Sequence, residues 1–235
     1  VRVLVVTAVP AERDAVTSGL NAEGPPQTLR LPGGYVLHRP AAPLVLDVVA
    51  AGVGPAAAAA GTATALTAAS AADAPYDLVV SAGIAGGLQQ PLGGVVVASS
   101  IVAADLGAMT PSGFASVGEL GFGTVEHAPP KQLVRDVAEA TGAAAGPVLT
   151  VSTVTGTAER AEELAARHPG AVAEAMEGFG VAEAAAAHGA AVLEVRTVSN
   201  SVGPRERAAW RIPEALAALG GGFAALVPVL RAWKP

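Results

Sequence analysis

The sequence predicts an α/β fold: one domain over residues 1–235, three layers deep (α/β/α), with a mixed, mostly parallel central sheet. Three observations predict it. Short apolar runs rich in β-branched residues alternate with Ala-rich segments of helical length. That alternation places helices on both faces of a sheet whose strands run mainly parallel. The 235 residues contain no linker-like stretch, so one large core is expected. Half the chain is apolar (51%) yet only 3% is aromatic, so Ala, Val and Leu must fill that core through close backbone approach.

The elements follow in order. Arg2–Thr7 reads as the first strand and Pro10–Leu20 as a helix with proline at its first turn. Tyr35–His38 and Leu44–Ala50 read as strands. A helix over Pro55–Ala72 precedes strands at Asp77–Ala82 and Gly94–Ala103. Asp105–Pro129 is a connection of a length that often carries function. Helix Lys131–Thr141, strand Pro147–Ser152, helix Ala158–His168 and strand Ala171–Ala175 follow. Helix Gly178–His188, strand Ala190–Val198 and helix Pro213–Trp233 complete the reading.

Composition excludes several functions. The net charge is −6, and no Lys or Arg occurs between Arg39 and Lys131. Nucleic-acid binding needs clustered cations to meet phosphates, so it is not expected. The chain has no cysteine and its four histidines show no paired spacing, so no metal site is expected. The N-terminal apolar run meets charges at once and reads as a strand rather than an export signal. Glycines and a proline interrupt the uncharged stretch 78–104, which reads as strand–turn–strand rather than a membrane span. A cytoplasmic location is the expectation.

In open α/β sheets, ligands bind beyond the carboxyl ends of the strands. Glu12, "SAGIAGG" (Ser81–Gly87), "AMEG" (Ala175–Gly178) and Asn200 all fall there. Each has a plainer reading. Glu12 and Glu177 could simply favour helix N-termini, Gly83, Gly86 and Gly87 could form a tight turn, and Asn200 could shape a turn. "GVGPAA" at Gly52–Ala57 has the G-x-G-x-x-A form of a dinucleotide-binding turn. It does not follow the first strand, and Asp73 lies in a turn rather than at a strand end, so a packing turn is the favoured reading.

Taken in order, "VLVVTAVPAERDAV", "AAGVGPAAAAAGTATAL", "LVVSAGIAGGL", "AVAEAMEGFGVAEAA" and "AAVLEVRTVSNSVG" resemble the purine nucleoside phosphorylase/nucleosidase superfamily over nearly the whole chain. Within it, "SNSVGPRERAAW" resembles the branch that hydrolyses futalosine in menaquinone biosynthesis. The resemblance implies a nucleoside phosphorylase-like fold, a purine nucleoside substrate, a homo-oligomer (a dimer or higher), and no metal or cofactor. By the same resemblance Glu12 activates the attacking water, and Met176 and Glu177 hold the ribose and its 2′- and 3′-hydroxyls. Ile84, Ala85 and Gly86 line the nucleoside. Asn200 stands where methylthioadenosine nucleosidases carry an aspartate. An amide can donate to O6 of a 6-oxopurine while accepting from a protonated N7, so Asn200 argues for hypoxanthine (or guanine) over adenine. Futalosine also bears a carboxylate beyond C5′. Arg205, Arg207 and Arg211 cluster after Asn200, with Arg207 the chosen partner and Trp210 a cover for the site. Phe114 or Phe122 would stack on the purine. The alternatives are another purine nucleosidase or phosphorylase, acting on inosine or methylthioadenosine, and a nucleoside-binding protein without catalysis.

Overall fold

The computed structural model describes residues 1–20, 22, 24–41 and 44–235. Its strands are β1 (Arg2–Thr7), β2 (Gln27–Arg30), β3 (Val36–Arg39), β4 (Val45–Ala50), β5 (Leu78–Gly87), β6 (Val95–Ala103), β7 (Gly107–Thr110), β8 (Gly113–Ser116), β9 (Glu126–His127), β10 (Ala144–Thr150), β11 (Ala173–Ala175) and β12 (Ala191–Ser201). The helices are α1 (Pro10–Gly19), α2 (Pro55–Ala71), α3 (Lys131–Thr141), α4 (Ala158–Arg167), α5 (Gly178–Ala187) and α6 (Ile212–Ala232). The main sheet runs β11-β10-β6-β12-β5-β1-β4-β3-β2, with β9 on β6 and a separate β7–β8 hairpin. β1 pairs parallel with β4 and β5, and β12 pairs parallel with β5 but antiparallel with β6. The sheet is therefore mixed, as expected.

Strand alternation builds the layers. On β1, Leu4 and Val6 join a core with Ala58, Ala65, Ala182 and Ala185 of α2 and α5. Val3 and Val5 point the other way and meet Val16, Leu133, Leu219 and Phe223 of α1, α3 and α6. The small side chains let helices approach closely: Gly180 of α5 lies so near the Pro55 carbonyl of α2 that a Cβ there would overlap it. α6 is long and apolar enough to span a membrane by length and composition. Here Ala215, Leu219, Phe223, Leu226 and Leu230 are buried against this second core.

Three differences from the sequence reading bear on function. β5 does not end at Ala82; it runs through the glycine segment to Gly87. Its last residues pair with β11, Gly86 opposite Glu174 and Gly87 opposite Ala173. The strands β5, β12, β6, β10 and β11 thereby close on themselves like a small barrel. β12 likewise continues past Val198 to Ser201, so Asn200 is a strand residue rather than a turn residue. The sequence reading also missed β2, which pairs antiparallel with β3 at the sheet's edge. The long connection Asp105–Pro129 contains β7, β8 and β9.

Candidate active site

The site grows from the end of β1. Glu12 sits at the third position of α1, only 4% exposed. One carboxylate oxygen, Oε2, accepts from the backbone N–H groups of Ala8 (3.0 Å) and Val9 (3.3 Å). Oε1 accepts from the N–H of Ile84 on β5 at 2.9 Å. This three-donor cradle fixes the carboxylate against the middle of β5. Gly83 makes the approach feasible, since a Cβ there would stand 2.5 Å from Glu12 Oε1 and 2.8 Å from Arg196 Nη1. Burial pushes the Glu12 pKa up. The Arg196 charge and the Ile84 N–H pull it down, the Glu177 charge adds to the rise, and the balance lies above the usual glutamate value.

Glu177 caps α5 from the opposite side. Its Oε1 accepts from the Gly54 N–H at 3.2 Å and its Oε2 from Arg196 Nη1 at 3.1 Å. Gly54 has φ 91°, a backbone state that glycine adopts freely. The G-x-G-x-x-A turn thus aims its amide at a carboxylate, not at a phosphate. Arg196 is 1% exposed and also donates from Nε to Glu194 (2.9 Å) and from Nη2 to Ser81 (2.9 Å). Burial alone would lower its pKa, but the charges of Glu194, Glu177 and Glu12 outweigh this and hold it above the usual arginine value. Glu194 is fully buried, and its Oε2 has no hydrogen-bond partner among the described residues.

Asn200 stands at the far end of β12. The Ser199 hydroxyl donates to Asn200 Oδ1 at 2.8 Å, and Asn200 Nδ2 donates to the Ser201 carbonyl at 3.0 Å. An amide has two acceptor sites and two N–H donors. One of each is therefore left for a ligand. Glu174, 6% exposed on β11, accepts from the Thr155 N–H (2.8 Å) and the Thr155 hydroxyl (2.5 Å).

These groups border one cleft of about 370 Å³, within the range of small-molecule sites. Its walls bring together Glu12, Ile84, Ala85, Gly86, Met176, Glu177, Asn200 and Trp210, every expected site residue but Arg207. A family model described as the phosphorylase superfamily matches residues 2–226. The chain belongs to the phosphorylase superfamily. It is 62% identical over 234 residues to the futalosine hydrolase of Streptomyces coelicolor, covering 99% of this chain and 97% of that relative. It is 47% identical over 188 residues to that of Acidothermus cellulolyticus, covering 77% and 72%. The structure of the futalosine hydrolase from Helicobacter pylori superposes with a TM-score of 0.81 at 17% identity, covering 97% of both chains. At that identity the likeness shows the fold alone.

In this superfamily member some expectations are displaced. Arg205, not Arg207, lines the cleft. The two guanidinium groups lie 5.1 and 5.9 Å from the Trp210 ring centre, and both arginines are exposed. Neither Phe114 nor Phe122 lines the cleft. Phe114 lies under the guanidinium of Arg167 at 4.4 Å, and Phe122 is 62% exposed. Phe114 lies on β8 and Phe122 in the turn that follows it, and Trp210 is the aromatic ring on the cleft wall. Arg196, Glu194 and Glu174 were not singled out from sequence. Strand alternation was the available signal: Glu194 and Arg196 are two apart on β12 and share a face, so their opposite charges meet.

Proposed function

We infer that this chain hydrolyses the N-glycosidic bond of futalosine, releasing hypoxanthine and dehypoxanthinyl futalosine, as a step of menaquinone biosynthesis. The observation that carries this reading is 62% identity to a futalosine hydrolase over nearly the full length in a chain whose cleft joins Glu12, Glu177 and Asn200. The reaction passes through an oxocarbenium-like state. As the C1′–N9 bond breaks, a proton from water reaches N7. The free Oδ1 lone pair of Asn200 accepts from N7–H, and its free Nδ2–H donates to O6, stabilising the departing base. Glu177, held by Gly54 and Arg196, receives the 2′- and 3′-hydroxyls, and Met176 packs on the sugar. Glu12 takes a proton from the water that adds to C1′ and returns it to the hydroxide left when N7 is protonated. Its raised pKa suits a base that must gain that proton near neutral pH.

Water is favoured over phosphate as the nucleophile for an electrostatic reason. Phosphate needs unpaired cations near C1′. The buried cation there, Arg196, already serves Glu194, Glu177 and Ser81, and Glu12 and Glu177 would repel a dianion. Arg205, at the Trp210 end of the cleft, supports recognition of the substrate carboxylate. A cytoplasmic homo-oligomer remains the proposed setting.

The test is purine release followed by chromatography, using futalosine, inosine and methylthioadenosine, each with and without phosphate. Hypoxanthine release from futalosine that ignores phosphate is expected. Adenine release from methylthioadenosine would overturn the Asn200 assignment, and strict phosphate dependence would make the chain a phosphorylase.

A further inference from the structure

We propose that Thr150 is a positioning residue for Glu177: its hydroxyl caps α5 in place of the Glu177 side chain, which leaves that carboxylate free for the sugar. The proposal rests on the reading that Glu177 receives the sugar hydroxyls, and deepens it. An N-cap side chain ordinarily turns back and accepts from the N–H of the second or third helical residue. Glu177 occupies the N-cap position of α5, yet its carboxylate bonds no N–H of that helix. Its Oε1 accepts from Gly54 and its Oε2 from Arg196, both outside α5. The first turn of α5 is buried at Gly178, Phe179 and Gly180, where an N–H without an acceptor is costly. The N–H of Phe179, the second helical residue, donates instead to the Thr150 hydroxyl at 2.9 Å. Thr150 itself is 2% exposed.

Register explains why β10 supplies this cap. Thr150 is the last residue of β10 and pairs with Ala175, the last residue of β11. The Val151 N–H donates to the Ala175 carbonyl at 2.9 Å. Only Met176 and Glu177 separate the end of β11 from α5, so the end of β10 stays beside the first turn. That turn has little room to shift. A Cβ on Gly178 would overlap the Glu194 carboxylate, and one on Gly180 the Pro55 carbonyl. Without the Thr150 hydroxyl, the Phe179 N–H becomes a buried donor with no partner. Glu177, at the N-cap, is the acceptor that chain position places to reach it. Turning there means leaving Gly54, Arg196 and the sugar.

The experiment compares wild type with Thr150→Val, Thr150→Ala and Thr150→Ser in the full chain. Valine keeps the shape and removes the acceptor, alanine removes it without bulk, and serine keeps it. Crystal structures should show the Glu177 carboxylate turned onto the Phe179 N–H in Thr150→Val and Thr150→Ala, and unmoved in Thr150→Ser. Kinetics read the consequence, using futalosine and its 2′,3′-dideoxy analogue, which lacks the hydroxyls that Glu177 receives. Thr150→Val should lower kcat/KM about 10- to 100-fold for futalosine but less than about 3-fold for the analogue. Taking each ratio within one substrate removes the analogue's own lability. Thr150→Ser should stay within about 3-fold of wild type on both substrates. Glu177 unmoved in both Thr150→Val and Thr150→Ala, or Glu194 turning to the Phe179 N–H in its place, would overturn the proposal. So would equal losses on the two substrates, the mark of a general loss of helix order. Failure of wild type to release a base from futalosine would instead remove the nucleosidase reading, and the position of Glu177 in the variant structures would still decide the cap.

Discussion

Replacing Arg196 with Met should expose how much of the site's geometry depends on one buried cation. Arg196 donates to Glu194 at 2.9 Å, to Glu177 at 3.1 Å and to Ser81 at 2.9 Å. Glu194 has no other hydrogen bond among the described residues and is fully buried, so Arg196→Met strands a carboxylate in the core. Glu177 retains the Gly54 amide and borders the cleft. Removing one partner of a buried ion pair costs about 3–5 kcal/mol. With a urea m-value of about 3 kcal/mol/M for a chain of this length, the midpoint should fall by about 1–1.7 M. Adding Glu194→Leu removes the stranded charge and should recover about half of the loss or more, a coupling of roughly 2 kcal/mol in a double-mutant cycle. Futalosine hydrolysis should stay depressed in both variants, because Glu177 has lost one of its two anchors. Equilibrium urea denaturation followed by circular dichroism gives the midpoints, and purine release gives the activity. A loss below about 1 kcal/mol in Arg196→Met, or strict additivity in the double variant, would refute the account of a coupled buried cluster.

Glu12→Gln should lower kcat/KM about 10²- to 10⁴-fold, measured as hypoxanthine release. In wild type the acid limb of the kcat/KM profile should lie above pH 4.5, the ordinary value from which burial raises Glu12. The same shift has a stability consequence. A folded pKa above the unfolded one contributes stability that is full below pH 4.5 and is lost as pH rises through the folded value. Urea midpoints of Glu12→Gln should therefore decline less than those of wild type over that window. Gly83→Ala places a methyl against Glu12 Oε1 and Arg196 Nη1; both are side-chain tips, so kcat should fall at least 10-fold for a stability loss of about 1–2 kcal/mol. Far from the cleft, Tyr76 donates to buried Asp47 at 2.5 Å, while Arg39 binds that carboxylate in a fork. Tyr76→Phe should cost about 1–2 kcal/mol in urea denaturation and leave purine release unchanged.

How legible the site was in the sequence depended on how far apart its partners lie along the chain. Glu12 is marked locally, by a strand end and the first turn of a helix, and its place in the cleft agrees with that reading. Its partner is the N–H of Ile84, 72 residues later, which no local pattern foretells. Glu177 was visible as the acid after Met176, but its anchor at Gly54 lies 123 residues away. That anchor gives the dinucleotide-like turn its use here, as a carboxylate holder. The glycines of "SAGIAGG" were read as a loop because glycine weakens strands. They sit in β5 because each position faces something that leaves no room for a Cβ: Glu12 and Arg196 at Gly83, Val202 at Gly86, Val198 at Gly87. That Arg205 rather than Arg207 lines the cleft was hidden for a related reason. The two are two residues apart, and which one meets the cleft is set by the Arg205 N–H bonding to the Gly156 carbonyl and the Arg211 N–H to the Ser199 carbonyl, contacts that exist only once the segment folds back over Asn200. Glu174 was overlooked because β11 is three residues long and too short to show a period of two. Its place comes from closure of the sheet: β11 pairs with β10 on one side and with the end of β5 on the other, which sets Glu174 opposite Gly86. The fold class follows from periodicity alone, while the cleft is assembled by the register of three strands drawn from widely separated parts of the chain.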